Sequence, residues 1–286
     1  MFVYFIMLLQ SLIASGTHIV AKIVVSDIEP VTLTMLRSGI AAAGLCILAF
    51  IRREKFRFRK EHLGSILLLS FLAIPVNQFL FLTAIRYTTP TNAALFYSTT
   101  PALVLVLSSV MGREKVGWKK GLGVLIAFSG VCLIIFERGI DFKSEYMLGN
   151  LLLVVAVIAW AYYTVQGRYL ILHYGAFKTS ITTMVLGTIM FVPIGIFGIA
   201  DYDFSVLTIH HWSGLLYLSI GTSIIAYLLW YYALSRTTAS KVAIFSNLQP
   251  ILTTILAWTL LGQTITPVFI VGGLIALGGI IVTQYG

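Results

Sequence analysis

A few side chains able to handle a polar solute are set into long apolar stretches of this chain. They are Asn77, Gln78, Tyr97, Trp160, Tyr163, Tyr227, Trp230, Asn247 and Gln249. Amides and aromatic hydroxyls bind and orient polar ligands, whereas catalysis needs an acid, a base or a nucleophile. For any single amide, a hydrogen bond between helices is the plainer reading. Taken together, these residues describe a polar and aromatic cavity suited to a neutral or zwitterionic organic solute. Tyr231, Tyr232 and Tyr285 are set apart, because tyrosines near the ends of apolar stretches commonly belong to the interfacial belt of a membrane protein.

Two ionisable residues join them. Arg37 lies about two turns inside an apolar run, counted at ~1.5 Å per residue. It could snorkel to lipid headgroups, cap freed backbone carbonyls or bind a substrate carboxylate. The structural roles are the favoured reading. His18 could relay protons, since histidine titrates near neutral pH, but a neutral hydrogen-bonding role is preferred. The interiors of the apolar runs contain no Asp or Glu, which weakens a carboxylate proton relay. HExxH, GxSxG and P-loop patterns are missing, as are paired carboxylates within those runs. An enzyme is therefore not expected, and neither is ATP-driven pumping by this chain alone. No cofactor or metal is called for, and Cys46 and Cys132, both in apolar runs, are expected to be packed and inert.

The elements that would hold these residues follow from composition. Of 286 residues, 59% are hydrophobic and 10% charged, against about 25% charged in soluble domains. The solvent implied is a bilayer. A spanning helix needs about 20 mostly apolar residues, and ten runs qualify: about 2–24, 30–51, 63–86, 91–111, 118–137, 148–168, 178–199, 212–234, 240–261 and 267–284. The first lacks a basic leader and reads as a retained helix rather than a signal peptide.

Basic residues collect in alternate connections. IRREKFRFRK (51–60), REKVGWKK (113–120), Arg168 with Lys178, and Arg236 with Lys241 hold 14 of the 19 lysines and arginines. The remainder are Lys22, Arg86, Arg138 and Lys143, with Arg37 inside a run. Asp27, Glu29, Glu137, Asp141, Glu145, Asp201 and Asp203 sit in the other connections. The positive-inside rule then places both termini in the cytoplasm of a multi-pass plasma-membrane protein. The net charge of +9 records orientation, with some attraction to anionic headgroups, and nucleic acid is not an expected partner.

The chain also repeats itself. TTPTNAALFYSTTP (88–101) is echoed by TTASKVAIFSNLQP (237–250), 149 positions later. Leu69-Ser70 faces Leu218-Ser219 at the same offset, and GVLIAFSGV (123–131) faces GGLIALGGI (272–280). Two halves of five helices each, 1–137 and 148–284, follow. Five is odd, so the second half would enter the membrane inverted, the pattern of many secondary transporters. Both echoes end on a proline, Pro101 and Pro250, near the middle of a run. There each is expected to kink its helix beside the cavity and free the carbonyl four residues back, on Tyr97 and Ser246. Small residues at Gly123, Ala127, Gly130 and at Gly272, Ala276, Gly279 predict close helix packing within the chain, with a homodimer as the second reading.

The segments AIRYTTPTNAALFYSTTPALVLVLSSVMGREKV (84–116) and ALSRTTASKVAIFSNLQPILTTILAWTLLGQTIT (233–266), with the glycine-rich run after each, carry a family resemblance. The chain resembles an EamA-type member of the drug/metabolite transporter superfamily over its whole length. That resemblance implies an all-α membrane protein of ten helices in two inverted five-helix EamA repeats. It also implies efflux or exchange of small metabolites, often amino acids, and a cavity lined by the first, third, fourth, sixth, eighth and ninth spans. The second repeat departs from the family pattern at GQT (262–264), where an acidic residue often follows the glycine, while the first keeps Gly112-Arg113-Glu114. The expected partners are a small-molecule substrate and the lipid bilayer. Alternating access is the expected mechanism, and a channel for a small solute is the alternative.

Overall fold

A computed structural model describes residues 2–88, 90–115, 117–138, 146–200, 202–261 and 266–285. Thr89, Asp141, Lys143, Glu145, Asp201 and the GQT stretch at 262–264 lie outside the described residues, as do the side chains of Glu137 and Arg138. The described residues are helical, with short connections. Among the described residues, eight helices are long and apolar enough to cross a membrane: Phe2–Asp27, Pro30–Ile51, Lys60–Tyr87, Asn92–Val110, Met147–Tyr174, Ala176–Ala200, Ile209–Arg236 and Pro267–Tyr285. The protein is thus a multi-pass membrane protein.

The regular segments are α1 (Phe2–Asp27), α2 (Pro30–Ile51), α3 (Lys60–Phe71), α4 (Phe79–Tyr87), α5 (Pro90–Ser98), α6 (Thr100–Val110) and α7 (Trp118–Arg138). They continue as α8 (Met147–Tyr174), α9 (Ala176–Ala200), α10 (Ile209–Leu216), α11 (Tyr227–Arg236), α12 (Ala239–Ala243), α13 (Leu248–Leu261) and α14 (Pro267–Tyr285). Sequence marks many of the ends. Pro30 opens α2 at its first turn, where a missing N–H costs nothing. Gly112 (φ 62°) and Gly175 (φ 85°) close α6 and α8 in the left-handed region, which glycine enters without a Cβ penalty.

The helical ladder is interrupted at matching places in the two halves. A π stretch, Leu72–Gln78, joins α3 to α4, and a second, Tyr217–Ala226, joins α10 to α11. The first contains Pro75, which has no N–H to give the ladder. The rods then end alike, each followed by an extended threonine: Thr88 (φ −136°, ψ −174°) and Thr237 (φ −148°, ψ −177°). Beyond these turns, both prolines differ from the mid-helix kinks expected. The helix breaks at Thr99, and Pro101 sits in the first turn of α6. A 3-10 stretch, Ile244–Asn247, precedes α13, of which Pro250 is the third residue. A proline is better tolerated at a helix start than in its interior, so the break moves just upstream of it. The carbonyls that take side-chain donors are accordingly one residue earlier than expected. Phe96 O accepts Thr99 Oγ1 at 2.6 Å, and Phe245 O accepts Ser11 Oγ at 3.3 Å.

Packing buries a core that runs between the halves. It is built on Trp160, Tyr163, Trp230, Tyr231 and Phe191, with a second cluster around Leu33, Phe81, Leu82 and Leu215. The small residues pack within the chain. A Cβ on Gly123 would lie 2.9 Å from Gly279 O, and one on Gly272 would lie 2.8 Å from Gly130 O. Residues early in α7 therefore meet residues late in α14, and the two helices run antiparallel. Cys46 departs from expectation. It is exposed rather than packed, and Cys132 is half-buried; the flank of α2 that carries Cys46 faces outward.

The α7–α14 seam makes a testable claim. Gly130→Ala would push a methyl to 2.5 Å from Ala276 N and Gly272 O, both backbone atoms that cannot swing away. Overpacking of this kind costs about 1–3 kcal/mol, so the melting temperature in detergent should fall by several degrees. Gly273→Ala meets nothing within 4 Å and should leave it unchanged.

Candidate functional site

The two π stretches create the site. A π turn widens the helix and leaves carbonyls without their usual partner. In the second stretch Leu218 O accepts Ser223 Oγ at 3.0 Å and Arg37 Nε at 3.1 Å, and Arg37 Nε also reaches Ser223 Oγ at 2.8 Å. Arg37 is thereby tied to backbone in the protein interior, at 3% exposure. It makes no ion pair with a described residue, and the terminal nitrogens of its guanidinium have no hydrogen-bond partner among them. In the first stretch the π turn presents Asn77 and Gln78. Asn77 Nδ2 donates to Tyr97 Oη at 3.0 Å and to Ala156 O at 2.8 Å.

These groups meet in a cavity of about 80 Å³. Arg37, Asn77, Gln78, Tyr97, Trp160, Tyr227, Trp230, Gln249 and His18 line it. His18 Nε2 lies 3.1 Å from Gln249 Oε1, so the ring nitrogen donates and the amide oxygen accepts. Rings form one side: Trp160 lies 5.3 Å from both Tyr227 and Trp230, and His18 sits edge-on to Tyr97 at 5.7 Å. Several buried polar atoms on the lining have no hydrogen-bond partner among the described residues: Gln10 Oε1, His18 Nδ1 and Trp230 Nε1. Buried polar atoms are nearly always bonded, so a cluster of unsatisfied ones around one void marks a place that takes polar ligand or water atoms.

Four of the sequence-derived residues stand back from the lining. Tyr163 stacks on Trp160 at 5.5 Å and hydrogen-bonds Thr183 Oγ1 at 3.0 Å. Asn247 is fully buried. Pro101 and Pro250 shape the chain beside Tyr97 and Gln249 rather than touching the void. The lining also includes Gln10, Ala14, Thr17, Phe81, Thr222 and Ala226. Thr17 and Thr222 carried a usable signal, hydroxyls inside apolar runs, and their side-chain oxygens lie 3.1 Å apart. The alanines carried none. The spans expected from the family resemblance all contribute, and α2 joins them through Arg37.

A polar clasp lies on either side of the cavity along α8. Near its start, Asn150 Oδ1 accepts Thr88 Oγ1 at 2.8 Å and Asn92 Nδ2 at 3.2 Å. Near its end, Gln166 Oε1 accepts Arg113 Nη2 at 3.1 Å, and Arg168 Nε donates to Thr237 O at 2.7 Å. Next to Arg113, the Glu114 carboxylate accepts Lys120 Nζ at 2.6 Å and the Ser240 hydroxyl and N–H. Burial by itself would raise the Glu114 carboxyl, but the Lys120 and Ser240 bonds outweigh it and hold it below the usual carboxylate range. On the opposite side, Lys22 Nζ caps Ile85 O and Thr88 O at 2.8 and 2.9 Å.

The site predicts two outcomes. Gln249→Leu leaves His18 Nε2 unpaired in a buried setting, which costs about 1–3 kcal/mol, so thermal unfolding in detergent should show a loss of several degrees. The Glu114 clasp has a pH signature. Because its carboxyl is held down, its contribution is complete above the unfolded value of about 4.3 and is lost as pH falls through the lower folded value. The melting temperature should be flat with respect to this group from pH 8 to 5, then fall in acid, and Glu114→Gln should remove that part of the acid loss.

Comparison with known proteins agrees with this architecture. The EamA-like transporter family matches residues 1–136 and again 147–285. The uncharacterized transporter YetK of Bacillus subtilis is 31% identical over 274 residues, 95% of this chain and 83% of its own length. An uncharacterized transporter of Archaeoglobus fulgidus is 31% identical over 98% of this chain and 96% of its own length. A WAT1-related protein of Arabidopsis thaliana is 25% identical over 95% and 78%. A solved crystal structure, 18% identical, shares the fold with a TM-score of 0.79 over 99% of this chain and 96% of the other. With two matched repeats and transporter relatives along nearly its whole length, this chain belongs to the EamA-like transporter family.

Proposed function

We propose that this protein is a secondary transporter of the plasma membrane that moves a small carboxylate-bearing metabolite, an amino acid or similar zwitterion, by efflux or exchange. The observation that carries the substrate class is Arg37: a buried guanidinium on the cavity lining, fixed by its Nε and with no acidic partner among the described residues. An unpaired buried charge is costly. A substrate carboxylate would supply the missing acceptor through the free end of the guanidinium. Amide and aromatic groups opposite would take the rest of a zwitterion.

Alternating access is the mechanism proposed, with ten helices in two inverted repeats, 1–137 and 148–284, and both termini cytoplasmic. Support for the inversion comes from the α7–α14 seam. Gly123 meets Gly279, and Gly130 meets Gly272; at the repeat offset of 149 these contacts exchange with one another. Such reciprocity is what a two-fold axis between the halves produces. Support for alternation comes from the two clasps, each joining residues of one half to the other. A cavity of about 80 Å³ is smaller than the ~300–1,000 Å³ usual for small-molecule sites, so loading a solute requires the walls to part on one side or the other.

Counterflow in proteoliposomes tests this. Vesicles preloaded with pooled amino acids and small carboxylates should accelerate entry of one labelled member of the pool. Arg37→Gln, at normal expression and melting temperature, should slow that exchange roughly ten- to a hundred-fold, the worth of a hydrogen bond to a charged group. Flux that ignores the solute on the far side would support a channel instead. Exchange of uncharged solutes with no response to Arg37→Gln would remove the carboxylate assignment.

A further inference from the structure

A second, larger hollow lies away from the transport cavity. It has a volume of about 670 Å³ and runs between the end of α2, the 53–58 segment and the start of α9. Its walls are nearly all apolar and include Phe50, Phe56, Phe58, Ile181 and Leu186, with Cys46 on its flank. The volume is within the range of small-molecule sites, and the apolar walls suit a hydrocarbon chain.

The polar rim is basic. Arg53 lines the hollow, within a ten-residue stretch that holds Arg52, Lys55, Arg57, Arg59 and Lys60 and only one acid, Glu54. Glu54 is taken by Lys178 at 3.6 Å, and Arg52 lies over the Phe177 ring at 4.3 Å. The Arg53 guanidinium makes no ion pair or hydrogen bond with any described residue. Thr182 Oγ1, also on the lining, has no hydrogen-bond partner among the described residues.

Arg53 is held in an unusual conformation. Its φ of 51° is the one positive value among the described non-glycine residues. The turn closes α2 with bonds from Arg53 N to Phe50 O and Glu54 N to Ala49 O, both 3.0 Å. α6 ends in the same pattern, Gly112 N to Ser109 O and Arg113 N to Ser108 O, with glycine at the left-handed position. A side chain there carries a backbone strain that glycine avoids. At α2 the chain accepts that strain and sets a guanidinium at the mouth of an apolar hollow.

We infer that this hollow is a binding site for an anionic phospholipid, with an acyl chain along the α2–α9 walls and the phosphate headgroup against Arg53. The hollow shares no lining residue with the central cavity and does not depend on the solute taken there. An anionic lipid is the occupant that satisfies the apolar walls, the basic rim and the Thr182 hydroxyl, which can donate to an ester carbonyl.

The test uses the full-length protein in vesicles. A fluorophore is placed beside the hollow without filling it, on Ile47→Cys in a background of Cys46→Ala and Cys132→Ala. A control carries it on Leu125→Cys, on the outward face of α7. Phosphatidylcholine vesicles are doped with brominated phosphatidylglycerol or brominated phosphatidylcholine. One basic contact with an anionic lipid corresponds to about a five-fold preference. Half-quenching at Ile47→Cys is therefore expected at an about five-fold lower fraction of the anionic lipid, with no difference at Leu125→Cys. Arg53→Gln and Arg53→Gly should both abolish the preference. The glycine variant relieves the turn, so its melting temperature should not fall, which separates lost charge from lost fold. Equal quenching by the two lipids in the parent protein would overturn the proposal. So would a preference that survives both Arg53 variants, that appears equally at Leu125→Cys, or that free inorganic phosphate erases.

Discussion

Inside a bilayer every peptide group must find its partner within the protein, and this structure is organised around the places where it does not find one in its own helix. The second π stretch and the stretch before α13 each present a carbonyl to a side chain from elsewhere. Leu218 O accepts Arg37 and Ser223, and Phe245 O accepts Ser11. The Arg37 and Ser11 bonds join distant parts of the chain: α2 to the second π stretch, and α1 to the stretch before α13. The irregular backbone therefore gathers the helices around one polar centre.

That gathering places a cation where no carboxylate among the described residues offsets it. Arg37 could have been a snorkelling residue, and its Nε does serve backbone, as the sequence led one to expect of a structural arginine. Its position on the cavity lining gives the remainder of the guanidinium a second use. The clasps at Asn150 and at Glu114 lie either side of this centre. In the proposed mechanism, breaking one while keeping the other would give the wall movement that loading requires, at the cost of a few hydrogen bonds recovered at the opposite end.

Much of this was legible in the chain. The echo of 88–101 in 237–250 located the matching threonine turns, and polar residues in apolar runs located seven of the nine candidate contacts on one lining. What was hidden had physical causes. A proline pattern cannot say whether a helix bends at the ring or breaks before it; tolerance of proline in a first turn decided for the break at Thr99. Pro75 marks an interruption in the first ladder without giving its π form, and nothing in Tyr217–Ala226 announces a π turn, so the bonds of Leu218 O to Arg37 and Ser223 were invisible. Ala14 and Ala226 border the void by being small, which leaves no mark among many alanines. Tyr163 and Trp160 are three residues apart on one face of α8, and only packing decides which ring reaches the void. Cys46 looked interior because its run is apolar, yet in lipid the apolar face is also the outer one.

The central claim is that the two ends of the cavity open in turn. Spin-label distances measured on one preparation address it directly, with labels across one clasp at Tyr87→Cys and Met147→Cys and across the other at Lys115→Cys and Arg236→Cys, all exposed positions. Adding transported solute should lengthen one distance while the other stays short, with the two distributions moving in opposition as conditions change. Simultaneous lengthening at both ends would describe a continuous pore and would contradict the account.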